Sequence, residues 1–493
     1  MTFMPTQALY NQRLVTHLGS MKTPRNQDLL SPIAGDRTRT DIFENWDRFW
    51  RDEGLPEELL NLEKDKRRAA GPRSLTLADW WIEPLSKFGH NRKSFNATTV
   101  ERCKYELQRY RFSPTPQITR YLSKTSAGYP WMGRAENSWT EIVQQTRDMW
   151  DNPSSYVEEA NTRPYVLGKR TTPKMYPDQS KSRVIWMESK PFAIIGSFYT
   201  SVLNAQFSTS TWFSALRAPW DLYREMMVRR VPGSNVVSLD QSQFDANISP
   251  DMIRQATDVV SSLCQTQGDW INLLGERAIR APMLIPDGTF VHEGGIPSGH
   301  PFTNLIDSLV SLMAASESLD LLGIDHTYEN IWVMGDDCLL TNLPYLPAVI
   351  EISDAYANLG LIVNPSKQAI SDDYYLFLNK YFDKEFLGVR SLNDGLNSII
   401  SLERPNSLTK VEWIYRTLSQ IEECRNHPHF TQLIDYVLTL DKYRLGLELD
   451  LPYWEIEREG KPRGNPFYDN VIEREASRGM GSWSVIQYLQ QLG

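Results

Sequence analysis

Between residues 234 and 400, short apolar runs alternate with longer segments in which apolar residues recur at helical spacing. This pattern predicts strands alternating with helices. The apolar run at 234–240 predicts a buried strand that ends in an acid. Apolar residues at 250–264 recur at helical spacing and predict an amphipathic helix. A Gly-containing loop at 293–301 then opens a long apolar helix at 302–319.

Two adjacent acids with an apolar run on each side follow this helix. Residues 331–334 and 338–340 predict two short strands, and Gly335-Asp336-Asp337 predicts the tight turn between them, since Gly and Asp tolerate turn dihedrals. The elements predicted after this hairpin are a helix near 346–358, a short strand at 361–364 and a strand pair near 374–390. The order predicts an α+β fold with a small antiparallel sheet backed by helices.

Acids occupy the ends of two of the predicted strands. A surface hairpin accounts for Gly335 to Asp337 alone, but adjacent like charges repel, and Asn or a second Gly would suit a plain turn better. Asp240, at the end of a buried strand, also needs a cation or a strong donor. If both strands are neighbours, three acids surround one point, and oxygen ligands favour Mg²⁺ or Mn²⁺. Two such ions about 4 Å apart can activate an attacking hydroxyl and stabilise a leaving phosphate oxygen.

Composition and charge fit a large globular protein with one basic segment. The 493 residues are 41% apolar and 23% charged, enough for two to four domains or one multi-lobed enzyme. The net charge of -9 argues against a nucleic-acid partner, but residues 161–190 carry seven Lys or Arg and two acids, an excess of five. Such a local basic surface is compatible with a polyanion channel, and a solvated loop is the alternative.

Neither a membrane span nor a zinc site is indicated by the sequence. The N-terminus lacks a basic leader with an apolar core, and no window approaches the roughly 18 apolar residues of a span, so we expect a soluble, intracellular protein. His292 and His300 have no metal partner and are expected to be incidental. The cysteines lie far apart without paired spacing and are expected to be buried thiols in a reducing compartment: Cys103, Cys264, Cys338 and Cys424.

Three short motifs lie in order along the chain: DQSQFD at 240–245, GIPSG at 295–299 and GDD at 335–337. They resemble the palm motifs of viral RNA-dependent RNA polymerases. DQSQFD is similar to the first, GIPSG with Thr303 to the second, and GDD to the third. Each motif alone is a weak signal, whereas the ordered set is specific. The resemblance implies a right-hand polymerase with fingers, palm and thumb that is mostly helical outside the palm sheet.

Further segments resemble other motifs of this family. TSAGYP at 125–130 is similar to the fingers motif at which the template enters, and the basic segment occupies the place of the fingertip motif that contacts the incoming triphosphate. Lys367 falls where these polymerases keep a lysine that protonates the leaving pyrophosphate. Phe386-Leu387-Gly388 lies where a hairpin grips the primer strand.

One position departs from the pattern of single-stranded positive-sense viruses. Counting from Ser298, that pattern has Thr five residues on, at Thr303, and Asn nine residues on, where this chain has Asp307. Thr303 and Asp307 are four apart and share a helix face, whereas Asn304 is expected to point elsewhere. An Asp here and the short chain resemble the polymerases of partitiviruses and picobirnaviruses, which are small double-stranded RNA viruses.

The resemblance also assigns roles to individual residues. Asp245, Ser298 and Asp307 would test the sugar 2′-hydroxyl, which separates RNA from DNA. The catalytic set is Asp240, Asp336, Asp337 and Lys367, with the three aspartates as ligands of Mg²⁺, for which Mn²⁺ can substitute. The nucleotide-binding set is Lys169, Arg170, Lys181, Arg183, Asp245, Ser298, Thr303 and Asp307, and the RNA-binding set is Ser126, Gly128, Gly299, Phe386 and Leu387.

Lobes, partners and location follow from the same resemblance. Residues 1–75 would be an extension on the body, 76–233 the fingers, 234–275 and 298–400 the palm, 276–297 a fingers insertion and 401–493 the thumb. The implied partners are an RNA template, the product duplex and ribonucleoside triphosphates, with a capsid protein as a further candidate. A monomer in the virion interior and host cytoplasm is expected.

Two other functions share such a palm. A reverse transcriptase usually has an aromatic residue two places before the paired acids, where this chain has Met334. It also has an aromatic steric gate near Asp245, where Ala246 and Asn247 stand in this chain. A non-catalytic RNA-packaging protein with a polymerase-like fold is the other alternative.

Overall fold

A computed structural model describes residues 14, 16, 37–70, 81–86, 88–119, 125–171, 182–214, 226, 234–364, 369–401, 408–449, 451–461 and 479–492, with the backbone only at 83, 169–171, 182–183 and 369. The helices are α1 (Arg39–Phe49), α2 (Glu57–Ala69), α3 (Ile82–Ser86), α4 (Ala97–Leu107), α5 (Trp139–Asp151), α6 (Val157–Thr162), α7 (Lys190–Phe207), α8 (Phe244–Asn247), α9 (Pro250–Leu263), α10 (Asp269–Arg280), α11 (Thr303–Leu321), α12 (Val349–Asn358), α13 (Leu392–Ile400), α14 (Lys410–Glu422), α15 (Phe430–Leu440), α16 (Tyr453–Gly460) and α17 (Ser484–Leu492). The strands are β1 (Tyr165–Thr171), β2 (Ser182–Met187), β3 (Asn235–Asp240), β4 (Met283–Ile285), β5 (Gly288–Phe290), β6 (Ile331–Met334), β7 (Asp337–Leu343), β8 (Ala369–Ser371), β9 (Tyr375–Phe377) and β10 (Lys380–Phe382). Among the described residues, no helix is both long and apolar enough to cross a bilayer.

A four-stranded sheet backed by helices forms the centre of the molecule. Its strand order is β6, β7, β3, β8, and each pair is antiparallel. β3 is buried through its middle, as its apolar run predicts. α11 is buried along nearly its whole length, which suits a helix enclosed by β6, α4, α9 and α12. The predicted strand, helices and hairpin between residues 234 and 358 are therefore confirmed.

The strand predicted at 361–364 is wrong. Val363 forms only a single bridge with Gln241, which is the residue just after the end of β3. The Asn364 N–H donates to the Asp240 carbonyl at 2.9 Å, also at this end. Because the segment meets β3 where that strand stops, a ladder cannot continue. The fourth strand of the central sheet is β8 instead.

A second sheet joins two segments that are distant in sequence. Its order is β2, β1, β4, β5, with β1 and β4 parallel. β4 and β5 lie within the predicted fingers insertion, and α10 runs across the predicted boundary at 275/276. Behind this sheet, Arg277 donates to both carboxylate oxygens of Glu188, at 2.9 and 2.6 Å. Their side chains are 0% and 2% exposed, so this enclosed pair fixes α10 to the end of β2.

The described part of the N-terminal extension packs on the C-terminal helices. Trp46 of α1 shares one hydrophobic core with residues of α13, α14, α15, α16 and α17. Its indole Nε1 donates to Asn393 Oδ1 at 3.0 Å. The buried Arg39 donates to Asn397 Oδ1 at 2.5 Å. Both contacts tie α1 to the same helix, α13.

Glu63 of α2 is a buried carboxylate that holds the start of α13. It is 1% exposed and accepts from the Leu392 and Asn393 N–H groups at 2.7 and 3.2 Å. We predict that Glu63→Gln lowers the free energy of unfolding by about 3 kcal/mol, because the helix N-terminus loses its anion and an amide donor then faces N–H donors. Scanning calorimetry checks this against the exposed control Glu53→Gln. Equal melting temperatures for the two variants would contradict it.

Candidate active site

Two of the acids predicted to converge lie on neighbouring strands. Asp240 at the end of β3 is the register partner of Asp337 at the start of β7. Met334 of β6 pairs with Asp337 on its other side, which leaves Gly335 and Asp336 as the two turn residues. Gly335 has φ +62, a conformation that favours glycine in a two-residue hairpin turn. The expectation that these strands are neighbours is confirmed.

Helix α11 holds this turn through small polar side chains. The Gly335 N–H donates to Ser308 Oγ at 3.0 Å. Gln241 Nε2 donates to the Asp336 carbonyl at 3.1 Å and to Ser311 Oγ at 2.9 Å. Both serines are fully buried. Sequence reasoning missed these positioning residues, although two serines three apart in an apolar helix are a usable signal.

Asn304 lies beside the turn, so the expectation that it points elsewhere is wrong. A Cβ atom built on Gly335 would lie 3.8 Å from Asn304 Oδ1. α11 begins at Thr303, so Asn304 lies in the first helical turn. Spacing along a helix defines which residues share a face, but tertiary packing decides where each face points.

Asp307 is the buried acid of the site. It is 4% exposed, and its Oδ1 has no hydrogen-bond partner among the described residues. Burial, together with the negative charges of Asp245 and Asp336, raises the pKa of Asp307 well above the ordinary value for an aspartate. Carboxyl groups from α8, α11 and the hairpin turn therefore lie close to one another.

By their chemistry, these acids fit a divalent cation. Among the described residues, no three His, Cys, Asp or Glu side chains already surround a metal position. Carboxylate oxygens from β3, β7 and the turn are nevertheless the ligands that Mg²⁺ and Mn²⁺ prefer. Burial is the main cause of the raised pKa of Asp307, and the negative charges of Asp245 and Asp336 add to it. A divalent cation would offset this repulsion between the carboxylates.

We predict that Asp307→Asn stabilises the metal-free protein at neutral pH by about 1–3 kcal/mol. The pKa of Asp307 is higher in the folded chain than in the unfolded chain, so folded Asp307 holds its proton more tightly. The free energy of unfolding therefore falls as the pH rises above the pKa that Asp307 has in the unfolded chain. Asn cannot ionise, so the free energy of unfolding of the variant should not show this decrease with pH. Unfolding in EDTA between about pH 4 and pH 8 checks it, with the exposed Asp354→Asn as control. Parallel stability profiles for wild type and Asp307→Asn would contradict the prediction.

The loop that resembles the second palm motif is packed on β2. Ser298 Oγ lies 3.4 Å from both the backbone nitrogen of Trp186 and the carbonyl oxygen of Val184. A Cβ atom on Gly299 would lie 1.7 Å from the Trp186 carbonyl oxygen. Only glycine allows the two backbones to approach this closely. Gly299 therefore serves a close backbone contact rather than loop flexibility.

Three further side chains maintain the shape of this loop. Thr303 Oγ1 lies 2.8 Å from both the Pro297 and the His300 carbonyl oxygens, to which it can donate. His292 lies between two backbone carbonyls, at 2.8 and 3.0 Å, and burial lowers its pKa. Burial also lowers the pKa of His300 to about 3. Both histidines are therefore buried parts of the packing.

The described parts of the basic segment include β1 and β2, which pair as the two arms of a hairpin. Arg170 is the register partner of Arg183, and Lys169 is the partner of Val184. Because Ser298 lies against the Val184 carbonyl, this hairpin borders the second-motif loop. Two predicted residues lie outside the described part of the chain: Lys181 and Lys367.

Four of the five residues predicted to bind RNA lie on two tight turns, and the fifth, Gly299, lies on the loop packed on β2. Gly128 has φ +64, and its N–H donates to Ser126 Oγ at 3.2 Å. A Cβ atom on Gly128 would lie 2.2 Å from the Glu188 carbonyl oxygen, so this turn sits directly on the residue after β2. Phe386 and Leu387 follow β10, and the Leu387 carbonyl accepts at 2.7 Å from an asparagine between α14 and α15.

Comparison with known proteins identifies the family. The profile described as viral RNA-dependent RNA polymerase matches residues 91–435. The chain belongs to this family. The polymerase is 25% identical to the potential RNA-dependent RNA polymerase of human picobirnavirus over 487 residues, covering 88% of each chain. It is 23% identical to the RNA-directed RNA polymerase of Cryptosporidium parvum virus 1, over 75% of this chain and 66% of that protein.

The fold of the polymerase matches a solved structure. The crystal structure of the RNA-dependent RNA polymerase of a human picobirnavirus has a TM-score of 0.77 and 19% sequence identity, and the match covers 99% of this chain and 98% of that one. The predicted right-hand fold and enzyme class are confirmed. The central sheet with β3, β6 and β7 is the palm of this polymerase.

Proposed function

We propose that the polymerase copies RNA templates into RNA by two-metal nucleotidyl transfer from ribonucleoside triphosphates. The observation that carries this proposal is the register pair of Asp240 and Asp337 beside the turn residue Asp336. These carboxylates would hold Mg²⁺, or Mn²⁺ in its place. When bound, such ions activate an attacking hydroxyl and stabilise charge on the leaving phosphate oxygens.

In the proposed reaction the primer 3′-hydroxyl loses its proton to water, and its oxygen bonds to the α-phosphorus of the incoming triphosphate. The bond from that phosphorus to pyrophosphate breaks. Negative charge spreads over the phosphate oxygens in the transition state. Lys367 would donate the proton that the leaving pyrophosphate takes up, as a general acid. The residues that would offset the triphosphate charge are Lys169, Arg170, Lys181 and Arg183.

Selection of ribonucleotides would fall to residues around Asp307. Asp245, Ser298 and Asp307 would contact the sugar 2′-hydroxyl, which is the group that separates RNA from DNA. Support comes from the electrostatic effect of Asp245 on Asp307, which requires the two side chains to be close. Thr303 would hold the Ser298 loop against the start of α11 through its hydrogen bonds to two loop carbonyls.

RNA would bind mainly through its backbone. Ser126, Gly128 and Gly299 would contact the template, and Phe386 and Leu387 the primer strand. Such contacts make affinity fall with salt, independently of sequence. The similarity to a human picobirnavirus protein supports a role in replicating and transcribing a double-stranded RNA genome, in the virion interior and host cytoplasm. A monomer with a capsid protein as partner completes the proposal.

The test is incorporation of labelled ribonucleotides on a single-stranded RNA template with Mg²⁺ or Mn²⁺. We expect complementary RNA from the wild type and none from Asp336→Ala. Deoxyribonucleotides in the same assay should give little product, which separates this activity from that of a reverse transcriptase. Product from both proteins, or from neither, would refute the proposal.

A further inference from the structure

The turn that resembles the template motif is bound to the start of α7 through one lysine. The Lys190 N–H donates to the Ala127 carbonyl at 2.9 Å. At the other end of the same residue, Nζ donates to Thr125 Oγ1 at 2.6 Å. Lys190 is therefore a buried residue whose ammonium group contacts Thr125, which is exposed.

The charge on Lys190 is poorly compensated within the protein. The residue is 6% exposed and is the first of α7, where the helix dipole disfavours a cation. Burial lowers the pKa of Lys190 to about 8, and the charge of Glu188 offsets this only in part. That carboxylate is already bound at both oxygens by Arg277. A second guanidinium, of Arg163, donates to Ser189 Oγ at 3.0 Å, so the surroundings of the lysine hold further positive charge.

These contacts indicate that the Lys190 ammonium group can bind an anion. An ammonium group has three donors, and among the described residues the Lys190 ammonium has one acceptor, the neutral hydroxyl of Thr125. A purely structural role would be better met by an uncharged side chain, since a buried cation needs a counter-charge. Thr125 is exposed on the segment that would contact the template, and the template backbone carries one phosphate per nucleotide.

We propose that Lys190 binds a backbone phosphate of the template strand as the strand passes Thr125. The inference rests on the proposed function and adds a phosphate-binding residue to the template side of that site. The phosphate would complete the coordination of the ammonium and replace the missing counter-charge. Thr125 would be the exposed neighbour that keeps Nζ directed at the strand.

The test measures binding of a labelled single-stranded RNA to the full chain by fluorescence anisotropy at several salt concentrations. We expect Lys190→Met to weaken binding about tenfold and to reduce the slope of log affinity against log salt by about 0.7, the value for one lost phosphate contact to a single strand. The KM for nucleotides at saturating template should stay unchanged. Lys104→Met is the matched control, because Lys104 is paired with Glu101 and Asp258 on α4 and α9.

The pH dependence of RNA binding separates a phosphate contact from a structural role. Among the described residues, Glu188 is the acid whose charge favours the charged form of Lys190, while Arg277 contacts Glu188 and Arg163 contacts the neighbouring Ser189. Because the pKa of Lys190 is about 8, wild-type affinity should fall between pH 7 and pH 9, whereas Lys190→Arg should remain charged and show no such fall. Thr125→Glu, at an exposed position, supplies a competing carboxylate and should also weaken binding roughly tenfold.

The proposal would be overturned if Lys190→Met bound RNA with the same affinity and the same salt slope as the wild type. Weaker binding that is equal in Lys190→Met and Lys190→Arg with an unchanged salt slope would also overturn it, because this indicates a structural role. If Lys190→Met fails to fold, Thr125→Glu decides, and wild-type RNA affinity in that variant also overturns the proposal. RNA binding does not require synthesis, so a wild-type protein that binds RNA without extending it refutes the proposed function alone.

Discussion

Asp336→Asn is expected to lower the rate of nucleotide incorporation at least about 10³-fold and to leave template affinity within about twofold. Asn keeps the shape of the turn, whose backbone is held by Ser308 and Gln241. The change removes one negative charge from the group of acids that would hold the ions. In the proposed function, template affinity comes from positive groups elsewhere, so we expect binding and chemistry to separate.

Single-nucleotide extension at saturating template and nucleotide measures this effect. The matched control is Asp354→Asn, an exposed aspartate on α12. We expect control rates within about twofold of the wild type, as for an ordinary surface substitution. Extension by Asp336→Asn at a tenth of the wild-type rate or faster would show that this carboxylate is not a metal ligand of the reaction.

Gly299→Ala is expected to reduce incorporation about 100-fold or more, although alanine adds only one methyl group. The new Cβ atom would lie 1.7 Å from the Trp186 carbonyl, and neither backbone can move without shifting β2 or the start of α11. β2 carries part of the basic hairpin, and α11 carries Asp307 and the serines that hold the turn. A shift of about 1 Å there is enough to cost two orders of magnitude in rate.

Steady-state kinetics and thermal unfolding of Gly299→Ala test this account together. Gly268→Ala is the control, because Gly268 has an ordinary φ of -72 and no atom within 4 Å of an added Cβ. A fully active Gly299→Ala variant would mean that the loop can leave β2 without consequence for the site.

The sequence alone indicated that Asp240, Asp336 and Asp337 belong to one candidate site, because each of these acids is locally unusual. Asp240 ends a buried strand, and two adjacent acids interrupt an apolar hairpin, so both segments require a partner that local structure does not supply. The register that pairs Asp240 with Asp337 then brings both carboxylates to the same end of the sheet. Local pattern and tertiary structure agree here.

Other parts of the site could not be read from local pattern. Asn304 lies beside Gly335 because of how α11 is rotated about its own axis in the fold. The spacing of residues along a helix does not determine this rotation. The strand predicted at 361–364 has the right composition but meets β3 past its end. Gly299 was recognised as a special position, while its partner, the Trp186 carbonyl, lies in a distant segment that only the fold brings near.

The central claim is that Asp240 and the Asp336-Asp337 pair hold the same divalent ions, and iron-directed cleavage tests it most directly. Fe²⁺ replaces Mg²⁺ in carboxylate sites, and with ascorbate and peroxide it releases hydroxyl radicals that cut the backbone only near the ion. We predict cuts near both residue 240 and residue 336, lost together on adding excess Mg²⁺ and in Asp240→Asn. Cleavage at only one of these positions, or at neither, would contradict the account.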